Sequence, residues 1–326
     1  MKWDVTFRLA LKQALLFCLG GSFGSSCVER GVELANSIRV VETISELRAA
    51  VKQARASGLE IGFVPTMGAL HEGHGRLVEV AAAECGFVVV SIFVNPTQFG
   101  PNEDFARYPR TPEHDQAVCA QAGAKLIFQP SVAEMYPAGQ LSTFVEVPSV
   151  SRRWEGEQRP THFRGVATVV LKLFQIVGAD RAYFGEKDYQ QLRVIRQMVV
   201  DLNTPVQVIG VPTVREADGL ALSSRNRYLN PEERQTAVAL SAALKAAGRL
   251  AAVGEQDAGR IRQELHKTLE SAVGVVIDYA EIVDAETLEP LDRLNPDCGA
   301  RAIIAVRLPS ARLIDNAPLP RPGEPA

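Results

Sequence analysis

Pro65-Thr66-Met67-Gly68-Ala69-Leu70-His71-Glu72-Gly73-His74 (PTMGALHEGH) decides how the rest of the chain is read. It follows an apolar run at 60–64 (EIGFV) that reads as a buried strand, and it precedes an alanine-rich apolar stretch at 77–83 with helical character. The two histidines therefore stand at a strand-to-helix turn, where unpaired backbone N–H groups and the helix dipole favour an anion. Gly68 and Gly73 leave room for close backbone approach, and imidazoles three residues apart on a first helical turn can both donate to phosphate oxygens. The alternative is a surface or zinc-binding pair. Zinc needs further Cys, His or carboxylate ligands at suitable spacing, and only Glu72 is close. Phosphate handling fits the local chemistry better.

Outward from this turn, strands and helices alternate. Thr43-Ile44-Ser45-Glu46 has the form of a capping box, with Ile44, Leu47, Val51 and Ala54 as one helical stripe. Residues 87–94 (FVVVSIFV) are apolar apart from Ser91 and rich in β-branched side chains, as a strand covered on both faces should be. Helices are expected at 112–122, 166–177 and 190–202, with strands at 125–129, 182–184 and 206–211. That order predicts a mostly parallel, doubly wound α/β sheet. Beyond Pro212, helices at 231–253 and 258–273 are followed by strands at 276–283, 302–307 and 312–314, the pattern of a smaller α+β domain. The expected division is 37–213, then 214–316 with a hinge near 211–215, then a disordered, proline-rich tail at 317–326.

The first 36 residues do not match this texture. Lys2 and Arg8 precede LALKQALLFCLG (9–20), but Lys12 and Gln13 interrupt the apolar run and no clean small-x-small cleavage site follows. The reading preferred over a secretory signal or a genuine arm is an upstream extension from a start codon placed too early, outside the fold. A stretch of twelve residues is too short to span a bilayer. Net charge is −3 with no basic block, which gives a nucleic-acid partner no support. Five scattered cysteines suggest neither a disulfide framework nor a metal cage and fit a reducing cytoplasm.

Three further segments carry chemistry. After strand 87–94 come Asn95 and Gln98, neutral amides beyond a strand's carboxyl end, suited to a small polyhydroxy acid, although a capped turn would look the same. Gly185-Glu186-Lys187-Asp188 opens another helix, with Lys187 able to meet a phosphate, Asp188 a ribose and Gln191 one turn deeper. Leu222-Ser223-Ser224-Arg225 follows Gly219 and has the make-up of a mobile phosphate clamp. Arg159-Pro160-Thr161-His162-Phe163-Arg164-Gly165 adds donors before a helix.

Taken together, PTMGALHEGH, IFVNPTQFGPNEDF, RPTHFRGV, FGEKDYQQL and DGLALSSRN, in that order, resemble the pantoate–β-alanine ligase (pantothenate synthetase) family of the nucleotidylyltransferase superfamily, whose hallmark is a His-x-Gly-His turn. The resemblance runs from about 38 to 316. Thr161 stands where glycine is frequent and Gly75 where a bulkier residue is usual; neither replaces a presumed contact. The resemblance implies a Rossmann-like sheet, a cytoplasmic homodimer, and ATP-dependent condensation of (R)-pantoate with β-alanine through a pantoyl-adenylate. It implies that Met67, Gly68, Ala69, Leu70, His71, Glu72, Gly73 and His74 cradle ATP. Gly185, Asp188 and Val214 would contact the nucleoside. Lys187, Ser223, Ser224 and Arg225 would hold the triphosphate, with Glu186 and Leu222 also against ATP. His71, His74, Lys187 and Arg225 would be catalytic, Gln98, Gln191 and Asn95 would bind pantoate, and Gln98 would also meet β-alanine. Mg2+ should ride on the phosphates, with no protein ligand assignable. A sister enzyme that moves a nucleotidyl group without ligation would not need the Asn95/Gln98/Gln191 amides, and a regulator without catalysis would not need every phosphate contact.

Overall fold

A computed structural model describes residues 38–326 except 102, 104, 140, 296, 322, 323, 325 and 326. The expected N-terminal extension lies outside the described residues.

Six strands form one parallel sheet: β1 (Arg39–Val41), β2 (Ile61–Thr66), β3 (Phe87–Ile92), β4 (Leu126–Phe128), β5 (Arg181–Gly185) and β6 (Gln207–Val211), in the order β1-β4-β3-β2-β5-β6. The connecting helices are α1 (Ile44–Ala56), α2 (Glu72–Glu84), α3 (Pro112–Gln121), the one-turn α4 (Val132–Met135), α5 (Pro148–Ser151) and α6 (Glu155–Gln158), then α7 (His162–Val177) and α8 (Tyr189–Asp201). The Thr43 capping box starts α1 as expected: its hydroxyl accepts from Glu46 N–H and the Glu46 carboxylate accepts from Thr43 N–H.

Period-two alternation sends each strand to two cores. Ile61, Phe63, Val89, Leu126, Phe128 and Phe184 join one cluster with α1, α7 and α8. Val64, Val88, Val90, Ile127 and Tyr183 join another with α2 and α3. Both faces are thus covered, which is why these strands read as unbroken apolar runs. Successive crossovers run from β2 outward to β3 on one side, whereas β5 pairs on β2's other edge. The strand order therefore reverses between β2 and β5, a point at which open α/β sheets bind their ligands beyond the carboxyl ends of the strands. The histidine turn follows β2 and the Gly185–Asp188 turn follows β5, so the topology brings two distant sequence segments side by side.

The C-terminal part comprises α9 (Pro231–Ala252), α10 (Ala258–Glu270) and an antiparallel sheet of β7 (Val276–Asp284), β8 (Ala300–Arg307) and β9 (Arg312–Leu319), with β8 central. Leu240, Leu244, Ile261, Leu265, Ile282, Ile304 and Val306 form its core. The expected tail at 317–326 needs correction, because Ala317–Leu319 complete β9 and pair with Ala300–Ala302. Pro318 made this stretch look unstructured, but β9 is an edge strand, where a missing N–H costs no ladder bond. Among the described residues Cys85, Cys119 and Cys298 are free thiols. No helix among them is long and apolar enough to cross a membrane.

Candidate active site

The histidine turn is built from within. Gly68 has φ +81° and Ala69 φ 51°, a left-handed pair that reverses the chain between β2 and α2. The Asp115 carboxylate, 1% exposed at the start of α3, accepts from Ala69 N–H at 3.0 Å, Leu70 N–H at 2.8 Å and the Thr111 hydroxyl at 2.9 Å. His114 Nε2 meets Leu70 O at 3.1 Å. The Thr66 hydroxyl donates to Ser91 O at 2.8 Å and accepts from Gly68 N–H at 3.2 Å. Nothing in local sequence marked Asp115, since an acid in a first helical turn usually serves its own helix.

His71 is the N-cap of α2 and His74 lies one turn on, with ring centroids 4.1 Å apart. Gly73 N–H donates to His71 Nδ1 at 3.2 Å, and His71 N–H donates to His74 Nδ1 at 3.3 Å. Most of the backbone N–H donors expected to be free at this turn are therefore already taken. The N–H groups of Gly68, Ala69, Leu70, His71 and Gly73 all have partners inside the turn or on Asp115. The imidazoles take over as donors, because an accepting Nδ1 leaves the neutral ring's proton on Nε2. Burial, followed by the Lys187 and Arg227 cations, lowers the His71 pKa to about 4. Burial, followed by His71, lowers that of His74 to about 3. Both rings are neutral Nε2–H donors at pH 7, electrostatically coupled to Lys187 and Asp188.

A single 3-10 turn, Glu186–Asp188, follows β5. Lys187 Nζ lies 3.5 Å from Asp188 Oδ1. Burial pushes the Asp188 carboxyl up, but the Lys187 and Arg225 cations outweigh it and hold the group below its usual range. The Glu186 carboxylate is tied to Arg301 at 3.0 Å, and the Arg301 guanidinium stacks on the Tyr189 ring at 3.6 Å.

Asn95 also needs correction as a ligand contact. It is 1% exposed, and its amide is fully committed. Nδ2 donates to Gln98 Oε1 and Gly165 O, both at 3.2 Å, while Oδ1 accepts from Thr97 N–H, the Thr97 hydroxyl and, at 2.7 Å, the Tyr136 hydroxyl. Asn95 therefore positions Gln98. The Gln98 side chain donates to Met67 Sδ at 2.8 Å, tying this turn to the histidine turn, and keeps one donor and one acceptor to spare. Helix α7 starts at His162, four residues before its apolar run, so its polar first turn reaches the site. His162 Nδ1 meets Gln98 O at 3.0 Å, and a Cβ at Gly165 would fall 2.4 Å from Thr97 O, which allows only glycine at this approach. Burial and then Arg159 lower the His162 pKa to about 4.

Next to these turns is a cavity of about 640 Å³. Lys187, Asp188 and Gln191 line one side, Ser223 and Arg225 another, and the Arg159–Glu103 ion pair (2.6 Å) borders it. Met67–His74, Asn95, Gln98 and Ser224 do not line this cavity. The histidine turn adjoins the Ser223 loop: the Leu222 Cβ lies 3.8 Å from where a Cβ on Gly73 would sit. Ser223 caps the 3-10 helix Ser224–Tyr228 by accepting from Arg225 N–H at 3.3 Å, and Val214 O accepts from Leu222 N–H at 3.0 Å. Glu72 is exposed on the first turn of α2.

The family model described as pantoate-beta-alanine ligase matches residues 39–318. The chain belongs to the pantoate–β-alanine ligase family. It is 54% identical to the pantothenate synthetase of Pelotomaculum thermopropionicum over 278 residues, 85% of this chain and 98% of that one. The crystal structure of pantothenate synthetase from Thermus thermophilus aligns with a TM-score of 0.82 at 52% identity, over 86% of this chain and 99% of that one. The pantoate-beta-alanine ligase of Francisella tularensis, complexed with beta-gamma ATP and beta-alanine, aligns with a TM-score of 0.70 at 34% identity, over 86% and 98% of the two chains. The six-stranded parallel sheet and the small antiparallel sheet are thus the fold of a pantoate–β-alanine ligase.

Proposed function

We propose that this chain is an ATP-dependent, carbon–nitrogen bond-forming ligase that condenses (R)-pantoate with β-alanine, releasing AMP and pyrophosphate. The observation that carries the reading is the pair of Nε2–H donors of His71 and His74, electrostatically coupled to Lys187 at the switch point of the sheet. Family membership and the ATP and β-alanine bound by the Francisella relative support the same chemistry.

A carboxylate resists amine attack because oxide would have to leave. In our reading the pantoate carboxylate attacks the α-phosphorus, the bond to the β-phosphate bridging oxygen breaks, and pyrophosphate departs. His71, His74, Lys187, Ser223, Ser224 and Arg225 would donate to the oxygens on which charge accumulates. Neutral rings suit this work, since they donate without having to shed or gain a proton. β-Alanine's uncharged amine then attacks the acyl carbon of the mixed anhydride and loses a proton, and AMP leaves. Gln191 and Gln98 would hold pantoate, Gln98 would also meet β-alanine, and Gly185, Asp188 and Val214 would lie along the nucleoside.

Magnesium would neutralise triphosphate charge when bound. No group of three or more His, Cys, Asp or Glu side chains among the described residues is placed to hold a metal, which suits an ion ligated mainly by phosphate and water. We further read 214–319 as a smaller domain that closes over the nucleotide, and the working form as a cytoplasmic homodimer.

Mixing the chain with ATP, pantoate and β-alanine tests the proposal. AMP should accumulate only when all three are present, and labelled pyrophosphate should exchange into ATP with pantoate alone. Exchange that required β-alanine would rule out a stepwise adenylate.

A further inference from the structure

Lys187 and the Ser223–Arg225 loop reach the cavity from different elements, yet one dipeptide of β9 holds both. Asn316 Nδ2 donates to the backbone oxygens of Glu186 at 3.0 Å and Lys187 at 2.8 Å, and Arg301 donates to Asn316 Oδ1. The neighbouring Asp315 takes both Arg215 nitrogens, at 2.7 and 2.9 Å. Arg215 in turn donates to Gly219 O at 3.1 Å and bridges to Ala221, closing the hairpin that delivers Leu222 to Arg225. Asp315 and Asn316 are 3% and 5% exposed. Successive side chains leave a strand on opposite faces, so adjacent residues can grip two loops that lie beyond the neighbouring strands β5 and β6.

We infer that Asp315 and Asn316 are positioning residues that fix the separation of Lys187 from the Ser223–Arg225 loop, and so set the affinity of the site for a triphosphate. The inference rests on the phosphate roles proposed above for those two segments. The C-terminal sheet then does more than cover the cavity: it sets the geometry of the cationic groups within it. Small misplacements of such groups weaken phosphate contacts and leave a separately anchored acid site alone. Pantoate, held through Gln98 in the turn beyond β3 and Gln191 on α8, rests on side chains that are hydrogen-bonded to neither Asp315 nor Asn316 and should not sense the change.

Two near-isosteric variants, Asp315→Asn and Asn316→Asp, together with Arg215→Lys, test this. Calorimetry with a non-hydrolysable ATP analogue should show binding weakened on the order of tenfold or more in the first two variants and less in Arg215→Lys. Pyrophosphate exchange should show KM raised for ATP and unchanged for pantoate. Folded variants with wild-type analogue affinity, or with ATP and pantoate constants raised together, would overturn the inference. Should the near-isosteric variants fail to fold, Arg215→Lys decides, and unchanged analogue affinity in it overturns the inference. Wild-type protein that bound no analogue would instead overturn the phosphate roles themselves.

Discussion

His71 donates its backbone N–H to Nδ1 of His74 across 3.3 Å, and that bond settles what the second histidine can offer. With Nδ1 occupied as an acceptor, the neutral ring carries its proton on Nε2. His71 is set the same way by Gly73 N–H. Two neutral donors thus replace the backbone amides that Asp115, Thr66 and the rings themselves have consumed.

His74→Ala and His71→Ala should each lower adenylate formation by about a hundredfold or more, since one preorganised charge-stabilising donor typically contributes about 3 kcal/mol. His71→Ala should also cost about 1 kcal/mol of stability, because the N-cap acceptor is lost. Pyrophosphate exchange and urea denaturation measure the two effects. Near-normal exchange in both variants would remove the rings from catalysis.

Asn95 and Gln98 should separate by phenotype. Gln98→Ala and Gln191→Ala should raise KM for pantoate more than for ATP while leaving stability nearly intact. Asn95→Ala strands the Tyr136 hydroxyl in the interior and should destabilise by about 1–3 kcal/mol. A stable Asn95→Ala chain with only a pantoate defect would return Asn95 to the ligand.

Asp115→Asn keeps the shape of the clamp but sets an amide N–H2 against one of its three donors. It should destabilise by about 1–3 kcal/mol and weaken ATP analogue binding through the displaced Gly68–Leu70 turn. Stability loss with unchanged nucleotide affinity would show the clamp to be uncoupled from the site.

Acid should destabilise the fold through its histidines. His71, His74 and His162 titrate at about 4, 3 and 4 when folded, against 6.5 when unfolded. Below 6.5 the unfolded chain takes up protons that the folded chain refuses. Their contribution is therefore complete above pH 6.5 and declines as pH falls towards the folded values. Each such group adds a slope of about 1.4 kcal/mol per pH unit in that window. His162→Gln should flatten the pH dependence of the unfolding free energy between about 6.5 and 4. An unchanged slope would mean that His162 protonates in the folded state.

The sequence by itself determined the types and order of the longer elements, and with them the α/β class, whereas the short β1 and the one-turn helices α4 to α6 carry too few residues for a period to be read. The β-branched run in β3, the Thr43 capping box and the glycines around His71 are local patterns, and local patterns choose local conformation. The four motif segments were legible for the same reason, since three of them follow a strand and open a turn or helix and the fourth is a glycine-hinged loop. What only the tertiary structure decided is which polar atoms remain available. Asp115 lies 45 residues from the Leu70 N–H it accepts, Tyr136 lies 41 from Asn95, and Asn316 lies 129 from the Lys187 oxygen it holds. Hydrogen-bonding capacity is spent across the fold, so Asn95 read as a ligand contact from its neighbours and became a buried brace once its partners were in place. Pro318 shows the same limit, because whether a proline breaks a strand depends on its being at an edge, and edges exist only after the sheet has formed.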